Sequence, residues 1–154
     1  MMSIELVCAG ALKFKGLQEL ENKYLQNINY YVKFSIKILK EIRHGEEGFV
    51  REKEGAMFLR EIQPRDHVVA LDERGKKMDS RGFAALLQEK VAYHSGRLLF
   101  LIGGFAGLAP AVIARADLRL SFSDMTVAHD LFRIVFLEQV YRAMTIARGG
   151  KYHR

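Results

Sequence analysis

Apolar and polar positions alternate along the chain in a way that predicts short strands separated by amphipathic helices. Ser3 to Cys8 is apolar and partly alternating, which predicts an opening strand closed by Ala9-Gly10. From Gly16 to Tyr31 the apolar residues Leu17, Leu20, Tyr24, Leu25 and Ile28 recur at helical spacing. Val32 to Ile42 alternates strictly. Val32, Phe34, Ile36 and Ile38 face one way and Lys33, Ser35, Lys37 and Leu39 the other, so this strand has a wetter face and belongs near a sheet edge. Glu46 to Ile62 predicts a charged helix that buries Phe49, Met57, Phe58 and Leu59 and stops before Pro64.

His67 to Leu71 is continuously apolar, as expected of a strand buried on both faces, and it runs into the polar, turn-rich stretch "DERGKKMDS". Asp79 or Ser80 can cap a helix over Arg81 to Tyr93. Leu98 to Ile102 is a fourth strand, which stops at the small-residue turn of Gly103, Gly104 and Gly107. A helix from Leu108 to Arg115 follows, with Pro110 in its first turn. Leu118 to Phe122 is the fifth strand. Ser121, Ser123, Asp124 and Thr126 then read as turn and cap residues for a last helix from Val127 to Ala147, stopped by Gly149-Gly150.

Strands alternating with helices predict an α/β domain with a parallel sheet, in which ligands bind beyond the carboxyl ends of the strands. Three such ends carry distinctive loops, after Leu71, Ile102 and Phe122. The glycine turn resembles a dinucleotide-binding turn only weakly, because that motif belongs to a first βαβ unit, so an oxidoreductase is the least favoured reading. Together the loops can offer backbone donors and acceptors to an adenine between apolar walls from Leu71, Leu120 and Met125. The last helix is apolar on two sides. Leu131, Ile134 and Val135 form one stripe and Phe132, Phe136, Val140 and Ala143 another, and a symmetric dimer would cover the stripe that the sheet does not.

A single domain is expected from 154 residues, of which 49% are hydrophobic. The formal net charge of +6 favours a polyanionic partner, with Lys37 and Lys77 among the candidate phosphate contacts. Cys8 is the one cysteine and reads as a buried, inert thiol. No zinc-ligand spacing occurs, so no metal is expected. The opening "MMSIELVCAGALKFKG" resembles no secretory leader, and no apolar run approaches the length of a membrane span. The expectation is therefore a soluble cytoplasmic protein without membrane contact. The tail Tyr152-His153-Arg154 combines a stacking ring, a group that titrates near neutrality and a phosphate-binding guanidinium.

Read in order, "LDERGKKMDS", "LIGGFAGL", "LSFSDMT", "EQVYRA" and the terminal "YHR" resemble the RlmH family of SPOUT-class methyltransferases along essentially the whole chain. The resemblance implies an α/β knot: a mostly parallel five- to six-stranded sheet flanked by helices, with the last helix tucked through an earlier loop in a trefoil. It implies a homodimer that uses S-adenosylmethionine to methylate N3 of a pseudouridine in 23S ribosomal RNA of the assembled ribosome.

Carried over position by position, the resemblance gives cofactor contacts at Leu71, Gly103, Phe122, Ser123, Asp124, Met125, Thr126 and Val127. Substrate contacts fall at His129 and Arg142, and catalytic roles at Tyr152, His153 and Arg154, with His153 the candidate base and Glu138 the lesser one. The chain departs from the family at Phe105 and Ala106 in the glycine turn, and at Val127-Ala128, where a proline is usual. Those departures motivate the alternative of a catalytically inactive, ribosome-binding dimer of the same fold.

Overall fold

A computed structural model describes residues 2–153 of the chain. Five strands alternate with five helices: β1 (Ile4–Ala9), α1 (Lys15–Asn29), β2 (Phe34–Leu39), α2 (Glu47–Glu61), β3 (His67–Lys77), α3 (Ser80–Tyr93), β4 (Leu98–Ile102), α4 (Pro110–Arg115), β5 (Leu118–Ser121) and α5 (His129–Ala147). The strands form one sheet in the order β2-β1-β4-β3-β5, and every pairing is parallel. β2 lies at an edge, as its wetter face predicts. β4 lies in the middle, with all five residues buried.

Because successive strand residues point to opposite faces, each buried strand feeds two cores. Ile4, Leu6, Val69, Leu71, Phe100 and Ile102 pack beneath α1, α3 and α5. Val7, Val68, Ala70, Leu99 and Leu101 pack against α2 and α4 on the other face. The first core is centred on aromatic rings: Phe100 and Phe136 lie 4.8 Å apart, and Phe83 meets Phe122 edge-on at 5.4 Å. Each fully buried ring of this kind contributes about 1.5–3 kcal/mol by leaving water.

Three local expectations are corrected. β3 does not end at Leu71. Leu71 and Lys76 both pair with Leu120, so Asp72, Glu73, Arg74 and Gly75 bulge out and the strand then resumes to Lys77. The polar run that reads as a loop is therefore a lip built into the sheet. Gly75 permits the return, because a Cβ there would stand 2.6 Å from the carbonyl carbon of Arg119.

In α2, Phe49 and Leu59 are exposed, while Val50, Glu54, Gly55 and Phe58 face inward. Gly55 is packed so closely on α4 that a Cβ would meet Ala109 at 2.6 Å. None of Ser121, Ser123, Asp124 or Thr126 caps α5, since its N-cap is Ala128 with no side-chain hydrogen bond. Those polar side chains are engaged elsewhere.

Candidate cofactor cavity and carboxyl-terminal cluster

A cavity of about 1040 Å³ opens at the carboxyl ends of β3, β4 and β5, where the three distinctive loops converge. Leu71, Gly103, Phe122, Ser123, Met125, Thr126 and Val127 all line it, and His129 closes one side. Asp124 does not line it. Its carboxylate turns outward to the Lys77 ammonium, so it anchors the loop instead of facing the cavity. Phe105, Ala106 and Ala128 also lie on the wall.

The loop from Phe122 to Ala128 is held by its own polar atoms and by the β3 lip. The Ser121 hydroxyl donates to the Ser123 carbonyl at 2.9 Å, and the Met125 N–H donates to the Ser123 hydroxyl at 3.0 Å. The Thr126 hydroxyl donates to Glu73 at 2.8 Å. Asp72 in turn pairs with Arg119 at 3.0 Å, tying the lip to β5. The acidic lip therefore serves as a clasp, a role that its sequence does not announce.

Among the described residues, three buried side-chain atoms lack a hydrogen-bond partner: Arg51 Nε, Arg119 Nε and Glu54 Oε1. Arg51 and Arg119 belong to the cavity wall, and Glu54 lies directly behind Gly104. Unpaired buried polar atoms are rare in folded proteins, and their clustering here marks a site with unmet polar capacity.

The remaining candidates assemble elsewhere. Tyr152, His153 and Arg142 do not line the cavity; they gather on the flank of α5 around Glu138. Arg142 donates to Glu138 Oε1 from Nε at 3.0 Å and from a terminal nitrogen at 2.5 Å, and the Tyr152 hydroxyl donates to the same oxygen at 3.1 Å. The Arg142 guanidinium lies 4.8 Å over the Tyr152 ring, which also meets Tyr141 edge-on at 4.8 Å.

His153 Nδ1 is 3.3 Å from an Arg142 nitrogen. Guanidinium only donates, so this contact needs an unprotonated Nδ1. The bonds to Glu138 hold Arg142 more firmly protonated, while burial, followed by contacts with Tyr24 and Glu138, pushes the Tyr152 phenol well above its ordinary range. Arg154 lies outside the described residues.

Other residues have structural roles. Arg133, which reads as a neighbour of His129 on one helix face, is buried and bonds Glu21 at 2.5 Å and the Gly10 carbonyl at 3.2 Å. Lys37 is committed to Glu61. Burial pushes the Cys8 thiol up to about 12, which leaves it inert at neutral pH. No group of three His, Cys, Asp or Glu side chains able to hold a metal occurs among the described residues, and no helix there is long and apolar enough to cross a membrane.

A parallel sheet whose strand-end loops converge on one cavity is the arrangement of an α/β ligand-binding enzyme. The family described as predicted SPOUT methyltransferase matches residues 2–153, and the chain belongs to it. More particularly, it is 39% identical over 159 residues to the ribosomal RNA large subunit methyltransferase H of Clostridium acetobutylicum, covering 99% of this chain and all of that one. It is 39% identical over 155 residues to the protein of the same name from Christiangramia forsetii, covering 99% of each. The fold is also that of a probable methyltransferase from Bordetella pertussis Tohama I, with a TM-score of 0.56 at 12% identity over 92% of this chain and 95% of that one.

Proposed function

We propose that the protein transfers a methyl group from S-adenosylmethionine to N3 of a pseudouridine in 23S ribosomal RNA, acting on the assembled ribosome as a cytoplasmic homodimer. Residues 1–154 would form a single knotted domain, its last helix passed through an earlier loop. The observation that carries this reading is the convergence of Leu71, Gly103, Phe122, Ser123, Met125, Thr126 and Val127 on one cavity. The names of the full-length relatives support the substrate class.

The cavity suits the cofactor. Leu71, Ile102, Leu120 and Phe122 offer apolar walls for a nucleoside, and backbone groups of the glycine turn and the 122–127 loop edge the slot. Gly107, at φ +76°, leaves open space where a side chain would otherwise stand. Phe105, Val127 and Ala128 lie on the wall without filling the cavity, so these departures do not favour the inactive alternative.

Bound S-adenosylmethionine supplies a methyl group already made electrophilic by its sulfonium. The chain's residues orient the uracil edge and remove the N3 proton, a step in which a general base contributes about 10²–10⁴-fold. His153 suits the role of base, because its Nδ1 lies 3.3 Å from an Arg142 nitrogen and would be free to accept a proton once Arg142 moved aside. Glu138 is a poorer acceptor, since its oxygens already receive bonds from Arg142, Tyr152 and Gln139.

His129, on the cavity, and Arg142, in the tail cluster, are 13 residues apart on α5, which is about 20 Å along the helix axis. One chain thus holds the cavity and the tail cluster apart, and a second copy is the natural means of joining them. The exposed Leu131 and Val135 of α5, with Phe105, Met125 and Val127 near the cavity mouth, offer the apolar surface for that copy.

Mass mapping of nucleosides in large-subunit ribosomal RNA from a strain lacking the protein tests the reading. Loss of N3-methylpseudouridine, restored by the gene, is the expected result. An unchanged methylation pattern would overturn it.

A further inference from the structure

Glu54 is the group the cavity does not account for. It is 1% exposed, Oε1 has no donor, and Oε2 reaches only the Ile42 N–H at 3.5 Å. A Cβ at Gly104 would stand 3.1 Å from Oε1, so the glycine turn alone separates this carboxyl from the cavity that Gly104 lines. The other acids of the wall are committed: Asp72 to Arg119, Glu73 to Thr126, and Glu47 to Arg51 at 3.6 Å. Two further titratable groups act on Glu54 through space, namely Glu41 from the segment between β2 and α2, and His129 from the start of α5.

We propose that Glu54 is a positioning residue that supplies the counter-charge for a cationic cofactor seated on the Gly103–Gly107 turn, and so distinguishes the sulfonium donor from its thioether product. This rests on the S-adenosylmethionine reading above. Burial holds the Glu54 carboxyl above the ordinary carboxylate range; the Ile42 bond and His129 oppose that rise, and Glu41 adds to it. A neutral carboxyl loses far less by burial than a carboxylate, so a position without a donor on Oε1 favours the neutral form.

A cation resting against the turn favours the ionised form. The O–H bond of the carboxyl breaks, the carboxylate keeps the electron pair and the proton passes to solvent. Once the methyl group has left, the thioether has no sulfonium charge, and Glu54 takes a proton back from solvent. Retention then weakens for the product alone. A Cβ at Gly104 would press on the carboxyl and shift it by a few tenths of an ångström.

The test is calorimetry on the full chain with S-adenosylmethionine and with S-adenosylhomocysteine, over about pH 5 to 8, in buffers of different ionisation heat. Proton release should accompany binding of the first ligand only, and its affinity should rise with pH by about tenfold for each unit by which the carboxyl is shifted. The second ligand should show a flat profile. Glu54→Gln, neutral and of the same shape, should abolish the proton release and narrow the gap between the two affinities.

Equal proton exchange with both ligands, or proton release retained in Glu54→Gln, would overturn the proposal. Should that variant fail to fold, the contrast between the two ligands on the unaltered protein decides the question alone. S-adenosylmethionine binding with no proton release removes Glu54 from this role and leaves the methyltransferase reading intact. No binding of either ligand defeats both.

Discussion

The Thr126 hydroxyl and the Glu73 carboxylate, 53 residues apart in sequence, are joined at 2.8 Å. The bond fixes the cofactor-side loop from outside, because α5 begins at Ala128 without a side-chain cap. Lys77 and Asp124 form a second, charged link between the same two segments. The loop that lines the cavity thus takes its position from the β3 lip.

If the clasp positions the loop, breaking it should weaken binding as well as folding. Glu73→Ala and Thr126→Val each remove an exposed hydrogen bond, worth about 0.5–1.5 kcal/mol to folding. Cofactor affinity measured by calorimetry should fall several-fold in each, and the double variant should fall no further than either single one. Additive losses would mean that the two side chains act separately.

Gly75 tests the lip itself. A methyl group there meets backbone atoms of Arg119 and Leu120 at 2.6 Å, and a paired strand has little room to yield. Gly75→Ala should destabilise by about 1–3 kcal/mol in urea denaturation, as overpacking does elsewhere. Gly16, within α1 and with nothing within 4 Å, is the control: Gly16→Ala should stabilise by about 0.5–1 kcal/mol. Equal effects at both positions would show that the close approach at Gly75 is not what matters.

Much of this architecture was legible in the chain because strands such as Leu98–Ile102 and Val68–Leu71 are apolar without interruption, and the parallel arrangement follows from their alternation with helices. The three loops of the cavity were legible for the same reason, since parallel strands bring their carboxyl ends to one edge. What local pattern does not encode is which polar side chains pair across the fold. Asp124 and Thr126 read as capping residues, yet their partners lie on β3. Nothing in the local pattern marks Glu54 or Arg133 as buried; one is buried without a partner for Oε1, and the other reaches back to Glu21 on α1. Such contacts depend on packing between distant segments, which no window of sequence contains.

The separation of the tail cluster from the cavity gives a complementation test of the proposed dimer. His153→Ala should lose methylation while keeping cofactor affinity, and Thr126→Trp should block the cavity while keeping the tail. Each homodimer should be inactive. If the tail serves the partner's cavity, mixing the two variants restores about a quarter of the wild-type sites, because half the dimers are mixed and each holds one intact site. No recovery after subunit exchange would place the tail in its own chain's site, or out of the reaction.

At the opposite end of the sheet, Arg97 is a purely structural hub. It reaches Asp66 at 2.6 Å, Glu5 at 2.6 Å and the Glu61 carbonyl at 2.7 Å, and the Asp66 side chain is only 2% exposed. Removing one partner of a buried pair leaves the other charge uncompensated, at a cost of about 3–5 kcal/mol. Arg97→Ala should lower the unfolding free energy from urea denaturation by that amount, with cofactor affinity per folded molecule unchanged. A loss of affinity at full folding would link the two ends of the sheet.

His67 opens β3 at that same end, with its ring 5.6 Å from His94 and Nδ1 3.9 Å from Asp117. Burial, followed by the Lys90 charge, pushes its pKa below the ordinary imidazole value, against the opposing pull of Asp117. The native state therefore binds this proton less tightly than the unfolded chain. The stabilising contribution of a neutral His67 is complete above the unfolded value near pH 6.5 and is lost as pH falls through the interval down to the folded value. His67→Gln carries no titrating group, so its urea midpoint should fall less than that of the unaltered protein between about pH 7 and 5. Parallel declines in the two proteins would assign the acid sensitivity to other groups.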